Sequence, residues 1–214
     1  MTIRVRRSGP DDRAAILRLM AAARGDGLSP DERAERGFVQ GTMDEAVLAR
    51  FEAGTGVFLA EEGDRLAGFA MTSGAVDPPD GPPRRTLEAA RAAVGDQRIF
   101  LYGPAAVDPS FQGRGVLSLL LRELGAQLRD RFDLGVAFVE DANRKSLAVH
   151  RHYGMTEVPG FSVGERRYHV FTFEPAQFAL PEAKRSFGLS PPAAPRSGIS
   201  RRAAPEPEGC AARR

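Results

Sequence analysis

Cysteine and histidine are scarce in this sequence of 214 residues, which has one cysteine and three histidines. The single Cys210 cannot form a disulfide within the chain, and it excludes a cysteine metal cluster and a buried cysteine nucleophile. The three histidines are too few and too clustered to suggest a metal site, so no metal is expected. This cysteine usage is typical of a reducing compartment.

Long apolar runs are also missing. No stretch is long enough to span a bilayer, and the N-terminus becomes charged at once instead of continuing into the apolar core of a signal peptide. The sequence therefore predicts a soluble, cytoplasmic protein without a membrane partner.

A basic charge is absent from the part of the chain that is expected to fold. The net charge is +2 and the isoelectric point about 9.0, but residues 179–214 carry +4, which leaves −2 for residues 1–178. Nucleic acid is therefore an unlikely partner for the folded part.

The length suits one domain, which we place at residues 1–178. The segment 179–214, rich in proline, alanine and arginine, cannot bury enough apolar surface to order itself, and it is predicted to be a disordered tail.

Apolar periodicity predicts the element order β-α-α-β-β-α-β-α-β-α-β-β. That order favours the α/β class, a mixed-sheet α/β sandwich. Residues 74–85 are predicted to be a surface loop and residues 86–94 a short helix. This insertion is either a lid or specificity element beside a ligand cleft, or a solvated connection without function.

The most informative stretch is 99–118, in which a strand leads through a glycine-rich loop into a leucine-rich helix. Gly103 and Pro104 interrupt the predicted strand 99–107, and such a pair marks a bulge or a place where strands part. The loop from Gln112 to Gly115 gathers backbone N–H groups, and the next helix adds more, so the arrangement is suited to a pyrophosphate. Arg114 adds positive charge.

Other phosphate loops fit less well. A nucleotide-hydrolysing loop needs a Lys-Ser/Thr pair after its last glycine, where Val116 and Leu117 stand. A dinucleotide fingerprint needs three spaced glycines and a later acidic residue, and only part of it is present. An ordinary strand-to-helix turn with two glycines stays open as the simplest reading.

Two motifs together resemble the GNAT (GCN5-related N-acetyltransferase) family, over about residues 3–174. The family's Q/R-x-x-G-x-G/A motif for coenzyme A pyrophosphate is matched by the loop at 112–115. Its N-x-x-S-x-x-x-Y-x-x-x-G-F motif is matched by Asn143, Ser146 and Gly154. The sequence departs from the family at Leu117, where Gly or Ala is usual, and at His150, where Tyr is usual.

The resemblance implies the acyl-CoA N-acyltransferase fold, in which the fourth and fifth strands splay and the pantetheine arm of the coenzyme enters between them. It also implies acetyl-CoA as acyl donor, an amine as acceptor, and His150 in the place of the family's catalytic acid. The loop and the resemblance together give the predicted coenzyme-binding residues, which are Ala105, Ala106, Val107, Gln112, Gly113, Arg114, Gly115, Val116, Leu117, Ser118 and Asn143.

Three functions stay open at this stage. The first is an N-acetyltransferase that transfers an acetyl group to a primary amine by direct attack on the thioester. The second is a module that binds acyl-CoA without turnover, and the third is a protein that contacts nucleic acid through its basic tail. His150 could equally be an acid or a residue that only lines the channel. The sequence indicates neither a general base nor the identity of the amine, and a homodimer is possible.

Overall fold

The structure, a computed structural model, describes residues 2–76 and 78–179. Its strands are β1 (Arg4–Arg7), β2 (Gly56–Glu62), β3 (Arg65–Gly74), β4 (Ile99–Val107), β5 (Leu134–Glu140), β6 (Thr156–Val163) and β7 (Arg166–Phe173). Its α-helices are α1 (Arg13–Ala23), α2 (Pro30–Arg36), α3 (Glu45–Ala53), α4 (Pro82–Val94), α5 (Val116–Leu128), α6 (Arg144–His152) and α7 (Pro175–Ala179).

The strands form one seven-stranded sheet in the order β1-β2-β3-β4-β5-β7-β6. Every neighbouring pair is antiparallel except β4 and β5, which run parallel. The sequence pattern predicted a mixed sheet with helices on both faces, and this prediction is confirmed. None of the helices within the described ranges combines the length and apolarity needed to cross a bilayer.

Alternate side chains of β4 point to opposite faces of the sheet. Phe100 and Tyr102 belong to a large core beneath α5, whereas Ile99 and Leu101 belong to a core on the opposite face. The apolar stripe predicted for α5 is buried as expected, since its leucines at 120, 121, 124 and 128 are inaccessible to solvent. The helix α5 is thereby fixed on the sheet with its N-terminus beside the end of β4.

The face opposite α5 carries two separate cores. One joins α1 and α3 to β2 and β3 through residues such as Ile16 and Leu48. The other joins α4 to β4, β5 and β7 through Leu87, Ala90 and Val170. Two groups of helices therefore cover different parts of the same face.

The helix α4 begins at Pro82, four residues earlier than the sequence analysis predicted. Proline is favoured in the first turn of a helix because its missing N–H has no partner there, so the predicted loop 74–85 ends at residue 81. Inside the helix, Thr86 donates a hydrogen bond to the carbonyl of Pro82 (2.6 Å). Because Leu87 and Ala90 are buried against the sheet, the alternative that this insertion is only a solvated connection is wrong.

The helix α7 is absent from the element order that the sequence predicts. Five residues are too few to show a helical period, but Phe178 is almost fully buried and its ring lies 5.3 Å from that of Phe173. A β-carbon built at Gly125 of α5 would come within 2.5 Å of the carbonyl oxygen of Pro175. The close approach of α5 and α7 therefore depends on a glycine. Apart from Ala179, the predicted tail 179–214 lies outside the described residues.

Deletion of residues 179–214 is expected to change the melting temperature by less than about 3 °C and to leave coenzyme A affinity unchanged. The reason is that this deletion keeps Phe178, the apolar anchor of α7. Thermal unfolding and calorimetric titration of the shortened chain test this. A matched deletion of residues 175–214, which also removes the anchor, should be clearly destabilised. A large loss in the first deletion would show that the tail contributes to the fold.

Candidate active site

The strands β4 and β5 part in the middle of the sheet. They pair in parallel only from Ile99 to Leu101 on β4, opposite residues 134–136 on β5, while β4 stays paired with β3 as far as Val107. Both sequence alternatives occur, because the pairing of β4 with β3 shifts register at Gly103 and Pro104 and β4 parts from β5 beyond Leu101. Beyond Leu101, the edge of β4 that faces β5 has no strand partner, and the residues 105–107 that follow are half-buried.

The glycine loop and the start of α5 present a group of free donors. Gly113 and Gly115 have φ angles of +76° and +72°, in the region that favours glycine. The backbone N–H groups without a hydrogen-bond partner among the described residues are those of Gly113, Gly115, Val116, Leu117 and Ser118. Together with the positive end of the α5 dipole, these donors are suited to an anionic ligand.

The positive charge that the sequence predicts at this loop comes from a different side chain. Arg114 pairs with Glu62 of β2 (3.2 Å from Nη1 to Oε2) and lies over the ring of Phe111, so its charge is already neutralised. This hydrogen bond lowers the pKa of the Glu62 carboxyl. A different cation reaches the loop, because Lys145 donates from Nζ to the side-chain oxygen of Gln112 (3.2 Å). The sequence analysis missed Lys145, which lies 33 residues further along the chain.

Contacts with the core anchor the first turn of α5. Val116 is buried and Leu117 packs against the same core, so the two side chains point away from the loop. The Ser118 hydroxyl lies 2.8 Å from that of Tyr153, just after α6. The departure from the family motif at Leu117 therefore leaves the backbone donors of the turn in place.

Asn143 connects three parts of the site. Its side-chain oxygen accepts a hydrogen bond from the N–H of Ser146 (3.2 Å) and so caps α6, and its amide donates to the carbonyl of Phe38 (2.7 Å). The residue is only 5% exposed. Both polar atoms of the side chain have protein partners, and coenzyme binding by Asn143 stays a prediction. Asn143 holds the connection between α2 and α3 against α6.

His150 lies on the α5 side of the sheet, where the strands part. Its ring is 9% exposed and lies 5.1 Å from Phe171 and 6.1 Å from Tyr102. Nδ1 is 2.7 Å from the carbonyl oxygen of Ser146, and because a carbonyl can only accept, Nδ1 carries the proton. Burial lowers the pKa of His150, which favours the neutral ring with a bare Nε2. The resting geometry therefore gives no support to His150 as a proton donor, and its catalytic role stays a prediction.

Tyr102 is a site residue that the sequence analysis did not single out. It is the last residue of β4 before Gly103, and it packs against Phe173 and His150. Burial raises the pKa of Tyr102, so the phenol stays neutral and its O–H can act as a donor. The sequence contains little indication of a functional role, because a tyrosine at the end of an apolar run is usually a core residue.

A known family pattern matches the part of the sequence that contains this site. The pattern of the acetyltransferase (GNAT) family matches residues 27–155, a range that contains the parted strands, the glycine loop and α6. The chain belongs to the GNAT family. It is therefore an acyltransferase, and the resemblance inferred from the two motifs is confirmed. No curated protein matches the sequence significantly.

Solved structures of GNAT proteins share this fold. The protein yncA from Salmonella typhimurium, solved with its cofactor acetyl-CoA, is 21% identical with a TM-score of 0.54, over 85% of this chain and 98% of that one. An N-acetyltransferase from Staphylococcus aureus is 17% identical with a TM-score of 0.53, over 82% and 99%. A GNAT acetyltransferase from Bacillus cereus is 13% identical with a TM-score of 0.52, over 81% and 98%. Identities this low establish the fold alone.

Proposed function

We propose that this GNAT protein transfers the acetyl group of acetyl-CoA to a primary amine by direct attack on the thioester. One observation supports this most: free N–H groups at 113 and 115–118 stand beside a β4 edge that β5 has left unpaired. The first feature suits a diphosphate and the second suits the amide groups of a pantetheine arm. Acetyl-CoA requires both features, and here the loop follows β4 directly in the chain.

The residues present fit the donor in charge as well as in shape. The diphosphate is anionic, and it would be held by the loop from Gln112 to Gly115, by the first turn of α5 and by Lys145. No heavy atom of the protein lies within 4 Å of a β-carbon built at Gly113 or Gly115. A ligand can therefore approach the backbone closely at both glycines.

The chemistry needs little from the side chains. Acetyl-CoA would supply the acyl group. The neutral amine nitrogen would form the new C–N bond, the C–S bond would break with its electron pair on sulfur, and the extra proton on nitrogen would pass to water. The N–H groups of residues 105–107 would orient and polarise the thioester carbonyl. Because a thiol pKa is about 8.5, the sulfur can leave as thiolate without a strong acid, so a neutral His150 that lines the cleft is sufficient.

The proposed function is tested by mixing the protein with acetyl-CoA and a panel of primary amines, with assays for free thiol and for acetylated amine. One free thiol should appear for each acetylated amine, and mass spectrometry should find no acetyl group on the protein. Tight binding of acetyl-CoA without turnover of any amine would instead favour a binding module. A stoichiometric acetyl-protein would contradict direct attack.

Replacing His150 by phenylalanine is expected to slow turnover by about tenfold or less, because the leaving thiolate needs little protonation. A full acid role would cost about a hundredfold or more. The measurement is the dependence of kcat on pH for both proteins, with coenzyme affinity as the control. If the variant loses a hundredfold together with the alkaline limb of the profile, His150 is the acid after all.

A further inference from the structure

The sheet face opposite α5 has a gap between its two groups of helices. The core of α1 and α3 includes Ala106 on the β4 side of the parted strands. The core of α4 includes Val136 on β5. Phe138, two residues further along β5 and on the same face, joins neither of these cores among the described residues. Phe138 therefore lies on this face outside both packed cores.

Aromatic rings from β5, β6 and β7 meet on this face. Tyr168 of β7 lies opposite Glu140 of β5 and opposite Phe161 of β6, so these three side chains share one face. The rings of Phe161 and Tyr168 are stacked with centroids 5.2 Å apart, and Phe138 meets Tyr168 edge-on at 6.0 Å. Tyr168 is only 3% exposed, whereas Phe138 and Phe161 are half-buried, so these two rings form an apolar wall on the face that also carries the Glu140 carboxylate.

Within residues 2–76 and 78–179, the Glu140 carboxylate has no cationic partner. The four glutamates on strands of the described structure are Glu61, Glu62, Glu140 and Glu157, and each of them except Glu140 pairs with a basic side chain. Glu140 is half-buried and accepts a hydrogen bond only from the amide of Gln40, in the connection that Asn143 holds. A partly desolvated carboxylate without a counter-charge is suited to a cationic ligand.

We propose that the acceptor is a primary amine with an aromatic or similarly large apolar body, whose ammonium group binds Glu140 and loses a proton to water before the nitrogen attacks. The apolar body then lies on the wall formed by Phe138 and Phe161. The inference rests on the proposed function, since it places the amine on the face opposite the coenzyme loop with the parted strands between them. It also gives α4 a role, because α4 packs beneath the outer part of this wall through Phe161.

The first test compares 2-phenylethylamine with ethanolamine as acceptors for the full chain. The aromatic amine should have a kcat/KM at least about tenfold higher, since burial of several carbon atoms separates the two. Phe138→Ala should bring the two values to within about threefold of each other. Equal values in the wild type would overturn the inference, as would a wild type that takes up coenzyme and acetylates neither amine.

The second test removes the charge of Glu140 with little change in shape. Glu140→Gln should raise the KM for 2-phenylethylamine by about tenfold or more, because a charge-assisted contact is lost. It should leave coenzyme A affinity, measured by calorimetry, unchanged. The matched control is Glu157→Gln on β6, which pairs with Arg151 and His169 and should leave this KM unchanged.

The two ideas fail in different ways. If neither wild type nor variants bind coenzyme A, the proposed function fails. If coenzyme binds and amines are acetylated, but Glu140→Gln leaves KM unchanged or Glu157→Gln raises it equally, only the assignment of the acceptor site fails.

Discussion

Replacing Phe178 by alanine is expected to lower the free energy of unfolding by about 3–5 kcal/mol, the usual cost of emptying a buried phenylalanine site. The side chain is 1% exposed, and it is packed between Phe173 and Tyr153 at 5.3 and 6.2 Å. The surrounding backbone has little freedom to collapse, because α7 already touches α5 at Gly125. Urea unfolding followed by circular dichroism measures the loss.

The control for this prediction is Val163→Ala, at a position that is 39% exposed, where a change of less than about 0.5 kcal/mol is expected. A loss below about 1 kcal/mol for the Phe178 variant would show that α7 does not dock in solution.

Changing both Gly113 and Gly115 to valine is expected to weaken coenzyme A binding by at least about a hundredfold. A charge-assisted hydrogen bond is worth about 1.5–3 kcal/mol, so each bond lost costs about tenfold or more in affinity. Both residues have positive φ angles, which a β-branched residue adopts only with strain, so the N–H groups would no longer point to one place. The side chains would also occupy the space of the ligand. Calorimetric titration of coenzyme A compares the variant with the wild type.

A matched control exists at the end of α4. Gly95 has the same φ of +76° as Gly113, and a β-carbon there would also meet no atom within 4 Å. The ψ of Gly95 is −155°, against 15° at Gly115, so Gly95→Val should impose backbone strain at least as large as the loop changes do and leave coenzyme A affinity unchanged. If the loop variant is folded and binds as tightly as the control, the glycines form a simple turn.

Local patterns predicted the central part of the fold. The Gly103-Pro104 pair indicated that β4 and β5 part, because proline cannot donate a backbone hydrogen bond to a neighbouring strand. The loop at 112–115 likewise predicted free backbone donors, since the first N–H groups of a helix have no acceptor within it. Both features are determined by a few adjacent residues, which is why one sequence is enough to find them.

The features that escaped prediction depend on residues far apart in the chain. Arg114 was expected to face phosphate, but it meets Glu62, which is 52 residues away. Gln40 and Glu140 are 100 residues apart, and nothing in either segment indicates the other. The helix α7 is similar, because five residues gain their stability from the core they contact rather than from helix propensity.

The most direct test of the central claim is an amide NMR spectrum of the ¹⁵N-labelled chain, recorded during titration with coenzyme A. The claim predicts that the largest shifts occur at the N–H groups that have no partner in the structure, those of Gly113, Gly115, Val116, Leu117 and Ser118. They should saturate together at one coenzyme per chain. No shift at millimolar coenzyme A, or saturable shifts confined to other residues while these five stay fixed, would contradict it.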